Sequence, residues 1–375
     1  MKKHVLITAF ICFAFVGCQK RVTSTPFEVI EIELNNATVA TSNIFDNLTP
    51  IALETTDSSL IDALASVKLT PKYIFVRTDN TIKQFDRNGR FIKNIGQKGQ
   101  AGNEYTGITD FILNEPAKQI DILDRKQKKI LTFDYDGNYI KSTPIATSAW
   151  QLYKPNSKTI LTYSGNECDV NNTSKFNAYS ENQRDSFFPI DEQRSKFLHI
   201  HTPRNLYTLL NNEAIFFEAF NDTIYRLDKQ QASPKYVLSY NGKNLPASFF
   251  TEKNYANIME FFQAFNARGC VNTTYDVTEG DTKLVFTCYY EGNKHVNIYD
   301  KTAQQTQSSK TFTEDILMQN VSLPFDEEDF VLWGSDGEVA FWVQPEWLLE
   351  NKDRILSSKL QAITSSLKED DNPIL

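Results

Sequence analysis

The sequence predicts an all-β chain, a six-bladed β-propeller with four-stranded blades whose ring is closed by strands from both chain ends. Two observations carry this. First, residues 72–95 and 118–143 repeat one pattern. Phe85-Asp86-Arg87-Asn88-Gly89-Arg90-Phe91-Ile92-Lys93 matches Phe133-Asp134-Tyr135-Asp136-Gly137-Asn138-Tyr139-Ile140-Lys141 at a shift of 48 residues. A repeated unit of that length, made of short strands and tight turns, is the signature of a propeller blade. Second, aromatic residues make up 13% of the chain, and they suit strands that pack on pleated faces.

Taken in order, the chain starts with Lys2, Lys3 and His4, followed by an apolar run of 13 residues from Val5 to Gly17. That run is too short for a membrane-spanning helix and suits the apolar region of a signal peptide, residues 1–17. It ends in Phe15-Val16-Gly17-Cys18, which resembles the lipobox of bacterial lipoproteins, with Phe15 in place of the usual Leu. The resemblance implies that Cys18 becomes the first mature residue and carries the lipid that holds the protein to a membrane. Residues 18–26 read as a lipidated polar tether. In Bacteroidetes-type lipoproteins an acidic run after the cysteine marks export to the outer surface. Lys20 and Arg21 stand here instead, so the expected address is an outer-membrane lipoprotein facing the periplasm, with the cell surface left open.

Removing residues 1–17, which hold two lysines and no acids, takes the formal charge from −8 to −10. An acidic body without a basic stripe argues against nucleic acid as a partner. Beyond Cys12 and Cys18, three cysteines remain: Cys168, Cys270 and Cys288. None has metal-site spacing, and no cofactor is expected. Free thiols are the expected state, with a Cys270–Cys288 bridge as the alternative.

The propeller is expected over 27–344. Strands at 62–68, 72–77, 81–87 and 90–95 make one blade, and 107–113, 119–124, 128–134 and 138–143 the next. Their outer hairpins turn at Asn88-Gly89 and Asp136-Gly137. The link at 96–105 has three glycines but no following helix, so it reads as a crossover and not as a phosphate loop. Ala178-Tyr179-Ser180, Arg226-Leu227-Asp228 and Ile298-Tyr299-Asp300 keep the phase. The last arrives 72 residues after its predecessor, one blade plus an insertion. Within that insertion, near 248–266, Tyr255, Ile258, Met259, Phe262 and Phe265 recur at helical spacing. The sixth blade is expected from 330–333 and 338–343 with N-terminal strands near 27–34 and 46–54. Residues 345–375 read as one amphipathic helix with Leu349, Leu356, Leu360, Ile363 and Leu367 on one face, then a tail.

With these marks in place, the chain resembles the six-bladed β-propeller lipoproteins of Bacteroidetes, relatives of NHL-type propellers. The matching stretches are 53–61, the two FDxxGxxI blade ends, and the link closing on Asn103-Glu104-Tyr105. Phe220-Asn221-Asp222-Thr223-Ile224-Tyr225 and Asp370-Asp371-Asn372-Pro373 complete them. Relatives usually carry a proline in the link, where Ala101 stands. The resemblance implies fold and tethering, and brings no reaction, ligand or site residue beyond Cys18.

Chemistry is sparse. His199 and His201 would share one face of a strand, but no third ligand has a recognisable spacing, and no metal site is expected. The acidic run 325–330 lacks the alternation of a calcium loop and reads as solvated. Asp110 and Glu54 could face the central channel, where some six-bladed propellers hold calcium for lactone or ester hydrolysis. Trp150 and Tyr153 could stack on a sugar ring. No GxSxG elbow or placed carboxylate pair supports catalysis, so no catalytic residue is assigned. The expected function is non-enzymatic ligand or protein binding in the envelope. A calcium-dependent hydrolase or lactonase, and a glycan-binding accessory of polysaccharide uptake, are the alternatives.

Overall fold

The computed structural model describes residues 27–35, 37–167, 172–180, 183–191, 206–208, 213–228, 231–271, 274–325, 331–335 and 338–375. Cys18, Cys168, His199, His201 and most of the acidic run 325–330 lie outside them.

Six blades stand around a ring, each with its first strand innermost. Blade one is Ser66–Leu69, Tyr73–Arg77, Ile82–Asp86 and Phe91–Ile95; blade two is Asp110–Asn114, Gln119–Asp124, Lys129–Asp134 and Tyr139–Pro144. Blade three runs Gln151–Asn156, Thr159–Tyr163, Ser174–Ser180 and Gln183–Pro189, and blade four Leu206–Thr208, Ala214–Phe216, Thr223–Leu227 and Ala232–Ser239. Blade five is Thr274–Glu279, Lys283–Tyr290, Asn293–Asp300 and Gln305–Ser309. The three phase marks each end the third strand of their blade, as expected. The core is a set of layers between blades. Phe75, Ile82 and Ile95 meet Phe111, Ile120 and Phe133 between blades one and two. Val67, Ile74 and Phe85 meet Trp333 and Trp342 between blades one and six, which closes the ring.

The FDxxGxxI motif is a list of physical requirements for the outer hairpin. Phe85 and Phe133 are buried in these layers. The Asp86 carboxylate accepts the Asn88 and Arg90 amides, and Asp134 accepts that of Asn138, so each Asp ties the turn. Gly89 and Gly137 have φ of +86° and +83°, a region that favours glycine. The closing isoleucine is a bulge. Phe85 pairs with Phe91 and Gln84 with Lys93, which leaves Ile92 over; Ile140 is left over in the same way. Such bulges interrupt the outer edge of the sheet and discourage edge-to-edge pairing.

The sixth blade combines both chain ends. Trp333–Ser335 pairs with Glu338–Ala340. The sheet continues through a bridge from Val343 to Ile374 and another from Ile374 to Ala52. The predicted closing segment at 46–54 is thus in place, and the last residues of the chain are a strand between it and the C-terminal side of the blade. The predicted strand near 27–34 lies elsewhere. Glu28–Glu31 adds in parallel to Ala232–Ser239 as a fifth strand of blade four, burying Ile30 and Ile32. Thr38–Ala40 then pairs in parallel with Thr311–Glu314 beside blade five. Residues 28–35 and 37–52 therefore run as a belt around the rim of blades four, five and six. The period-two pattern identifies a strand but not its partner.

The insertion holds helix α1, Ile258–Arg268, capped by the Asn257 side chain on the Glu260 amide and ended by Gly269 at φ +63°. Its buried face is Phe261 and Phe265, packed on Phe220, Phe249 and Tyr255. Ile258 and Met259 point outward, contrary to the expected stripe. The predicted single C-terminal helix is two, α2 at Pro345–Glu350 and α3 at Ser358–Ser366. Asn351 folds back on the Trp347 carbonyl and a 3₁₀ turn intervenes, so Leu356 is exposed and Ile355 buried in its stead. Among the described residues no helix is long and apolar enough to cross a membrane.

Candidate functional site

The polar residues around the ring are largely used to fasten blades to one another. Arg77 of blade one donates to the Ile108 carbonyl at 3.1 Å; burial lowers its pKa, with Asp110 and Asp79 opposing. Asp110, on the innermost strand of blade two, accepts the Leu152 amide of blade three at 2.8 Å. It is on an inner strand as expected, yet its carboxylate is committed to a blade-to-blade link. Asp121, almost fully buried, accepts Lys154 of blade three at 3.0 Å and Thr132 at 2.6 Å.

Between blades three and four, Lys175 and Glu218 form a buried ion pair at 2.7 Å, their side chains 4% and 6% exposed. Between four and five, Glu279 receives Lys235, Lys301 and Tyr236. Burial alone would raise the Glu279 carboxyl, and these three donors more than offset it, holding it below the usual range. Arg87 and Glu338 join blades one and six through two parallel hydrogen bonds of 3.2 and 2.7 Å.

Glu54 is not a channel residue. It lies on the rim, where its carboxylate accepts the Phe91 amide and its own amide donates to Gly89. Trp150 carries the Arg125 guanidinium on its ring at 3.9 Å, and Tyr153 is buried. Neither offers an open stacking face. Among the described residues no three His, Cys, Asp or Glu side chains converge on a common point. Cys270 and Cys288 are free thiols rather than a bridge, and burial pushes the Cys288 thiol up to about 12.

A cavity of about 740 Å³ lies instead at the seam of blade six. Its lining is apolar at Leu317, Met318, Leu348 and Leu360, aromatic at Phe45, Phe341 and Trp347, and polar at Asp46, Asn47, Thr49 and Asn88. Phe45 and Phe341, both partly exposed, stack at 6.3 Å between centroids. In the sequence Asn88 stands out only as a turn residue and Leu360 only as part of the C-terminal stripe, and none of these residues is marked as a site. They come from the belt, from the outer turn of blade one, from the loop after Thr311–Glu314, from blade six and from α2 and α3, and no local spacing connects such segments.

Fold and seam define a six-bladed β-propeller closed by its own termini. A family model described as "Domain of unknown function (DUF4934)" matches residues 27–375, and the chain belongs to that family. No curated protein matches it. Among solved structures it is similar to a "Putative exported protein" of Bacteroides fragilis, at 17% identity and a TM-score of 0.75, over 92% of this chain and 98% of that one. It is also similar to a member of the duf4221 family from Bacteroides vulgatus, at 10% identity and a TM-score of 0.52, over 87% and 94%.

Proposed function

We propose that this protein is a lipid-anchored propeller of the bacterial envelope that binds a ligand or partner without transforming it. The observation that carries this reading is the contrast between ring and seam. The acidic side chains named around the ring are tied up in blade-to-blade links, whereas the seam offers a cavity of ligand size.

The anchor is Cys18, on the outer membrane and facing the periplasm. The lipobox and the basic tether support that address, and the similar Bacteroides fragilis structure, a "Putative exported protein", supports export. The tether joins the folded body beside blade four, where Glu28 pairs with Tyr236. Its nine residues span at most about 30 Å when extended, so the rim of blade four stays close to the bilayer.

The test is twofold. The purified protein, offered ester, lactone and glycoside substrates with calcium, should turn over none, and EDTA should leave its melting temperature unchanged. Turnover abolished by Asp110→Asn would establish a hydrolase and end the binding-only reading.

A further inference from the structure

We propose that the blade-six cavity is a carbohydrate site that takes a short neutral oligosaccharide. This rests on the binding reading above and specifies its ligand class. Three features of the lining lead to it.

The first is charge. The cavity walls carry Asp46, Glu314 and Glu338 against Arg87 and Lys359. Glu338 is neutralised by Arg87, and Glu314 accepts the Ile316 and Leu317 amides. Glu314 keeps its charge, so three acids stand against two bases and the lining carries a net formal charge of −1, too mixed to select a highly charged ligand.

The second is hydrogen-bonding capacity. Among the described residues none partners the side chains of Asp46, Asn47, Asn88 or Lys359, or the Trp347 indole N–H. Together they offer acceptors only (Asp46), donors only (Lys359, Trp347) and both (Asn47, Asn88). A polyol suits that mixture, because every hydroxyl both donates and accepts. The side chains of Asp46, Asn47, Asn88 and Lys359 are exposed, so sugar hydroxyls would take the place of water on them.

The third is the mixture of surfaces. The partly exposed rings of Phe45, Phe341 and Trp347 line the same cavity as those polar side chains. A pyranose has apolar C–H faces and a polar hydroxyl edge, and so suits a lining of both kinds. The cavity, about 740 Å³, holds a few sugar rings.

Binding there also bridges the belt, blade six and the C-terminal helices, so ligand should stabilise the closed ring by mass action. The experiment uses the full chain in detergent, titrated calorimetrically with malto-, cello-, xylo- and manno-oligosaccharides, with cis-parinaric acid as an acyl probe. At least one sugar series should bind and raise the melting temperature. Trp347→Ala and Asn47→Ala should each weaken it about tenfold or more, and Ile140→Ser on the rim of blade two should not. Asn47 is exposed and makes no side-chain bond within the described protein, so its variant reports on the site and not on folding. Absence of sugar binding, sugar binding indifferent to both cavity variants, or binding of parinaric acid alone would each overturn the proposal. Cleavage of a bound sugar would end the non-catalytic reading and leave the ligand class standing.

Discussion

The Asn372 side-chain amide donates to the Glu54 carbonyl at 2.8 Å, tying the last residues of the chain to the segment 46–54 that closes blade six. The same side chain donates to the Ser59 carbonyl at 3.0 Å and accepts the Ile61 amide at 2.8 Å, and it is 2% exposed. Asn372→Ala leaves the Ser59 carbonyl and the Ile61 amide without a partner in a site nearly closed to water, while the Glu54 carbonyl keeps the Ser59 hydroxyl at 2.6 Å. Each orphaned group costs about 1–3 kcal/mol, so we expect a destabilisation of about 2 kcal/mol or more in urea unfolding, and a loss under about 1 kcal/mol would show that the clasp contributes little to ring closure.

The two motif glycines allow a paired test. Both have positive φ, but a β-carbon on Gly89 would fall on the Ala52 carbonyl oxygen, whereas on Gly137 its nearest neighbour is Lys93 Cδ at 3.6 Å. Gly137→Ala carries only the conformational cost, about 1 kcal/mol. Gly89→Ala must also push away the strand that closes blade six, and should cost several-fold more by the same unfolding measurement. Equal effects would mean that the closing strand yields freely.

Lys175 and Glu218 are buried and also tied to Tyr163, whose hydroxyl donates to Glu218 at 3.2 Å. Removing one charge strands the other, so Lys175→Met or Glu218→Leu alone should destabilise by about 3–5 kcal/mol. The double variant should recover most of that loss, because desolvation of the pair opposes its attraction. A double variant as unstable as the sum of the singles would contradict this account.

Blades one and two are legible in the sequence because everything that makes them is local: an alternating strand, an Asp-tied turn and a glycine at positive φ, repeated at one spacing. Even there the exposed bulges at Ile92 and Ile140 look like ordinary strand residues. The closing segment at 46–54 is recognisable as a strand, but its neighbour Ile374 lies more than 300 residues away in a tail that reads as a helix stop. The strand at Glu28–Glu31 is likewise recognisable but its partner is not, since parallel addition to blade four has no turn to signal it. The cavity was the least legible. Phe45 and Trp347 have no sequence relationship until the ring closes.

His295 supplies a pH test of the blade-five layer. It is 4% exposed, and burial lowers its pKa, helped by Lys310 and Lys243 and opposed by Glu291. Ser308 Oγ lies 3.5 Å from Nδ1. With the folded pKa below the unfolded value near 6.5, the unfolded chain binds more protons in the interval between the two. Stability therefore rises with pH there. The His295 contribution is present in full above the unfolded value and is lost as pH falls through that value towards the folded one. Urea midpoints should accordingly drop on acidification below about pH 6.5, and His295→Gln, which cannot be protonated, should flatten that slope while leaving the trend at lower pH from carboxylates. An unchanged slope in the variant would place the proton uptake elsewhere.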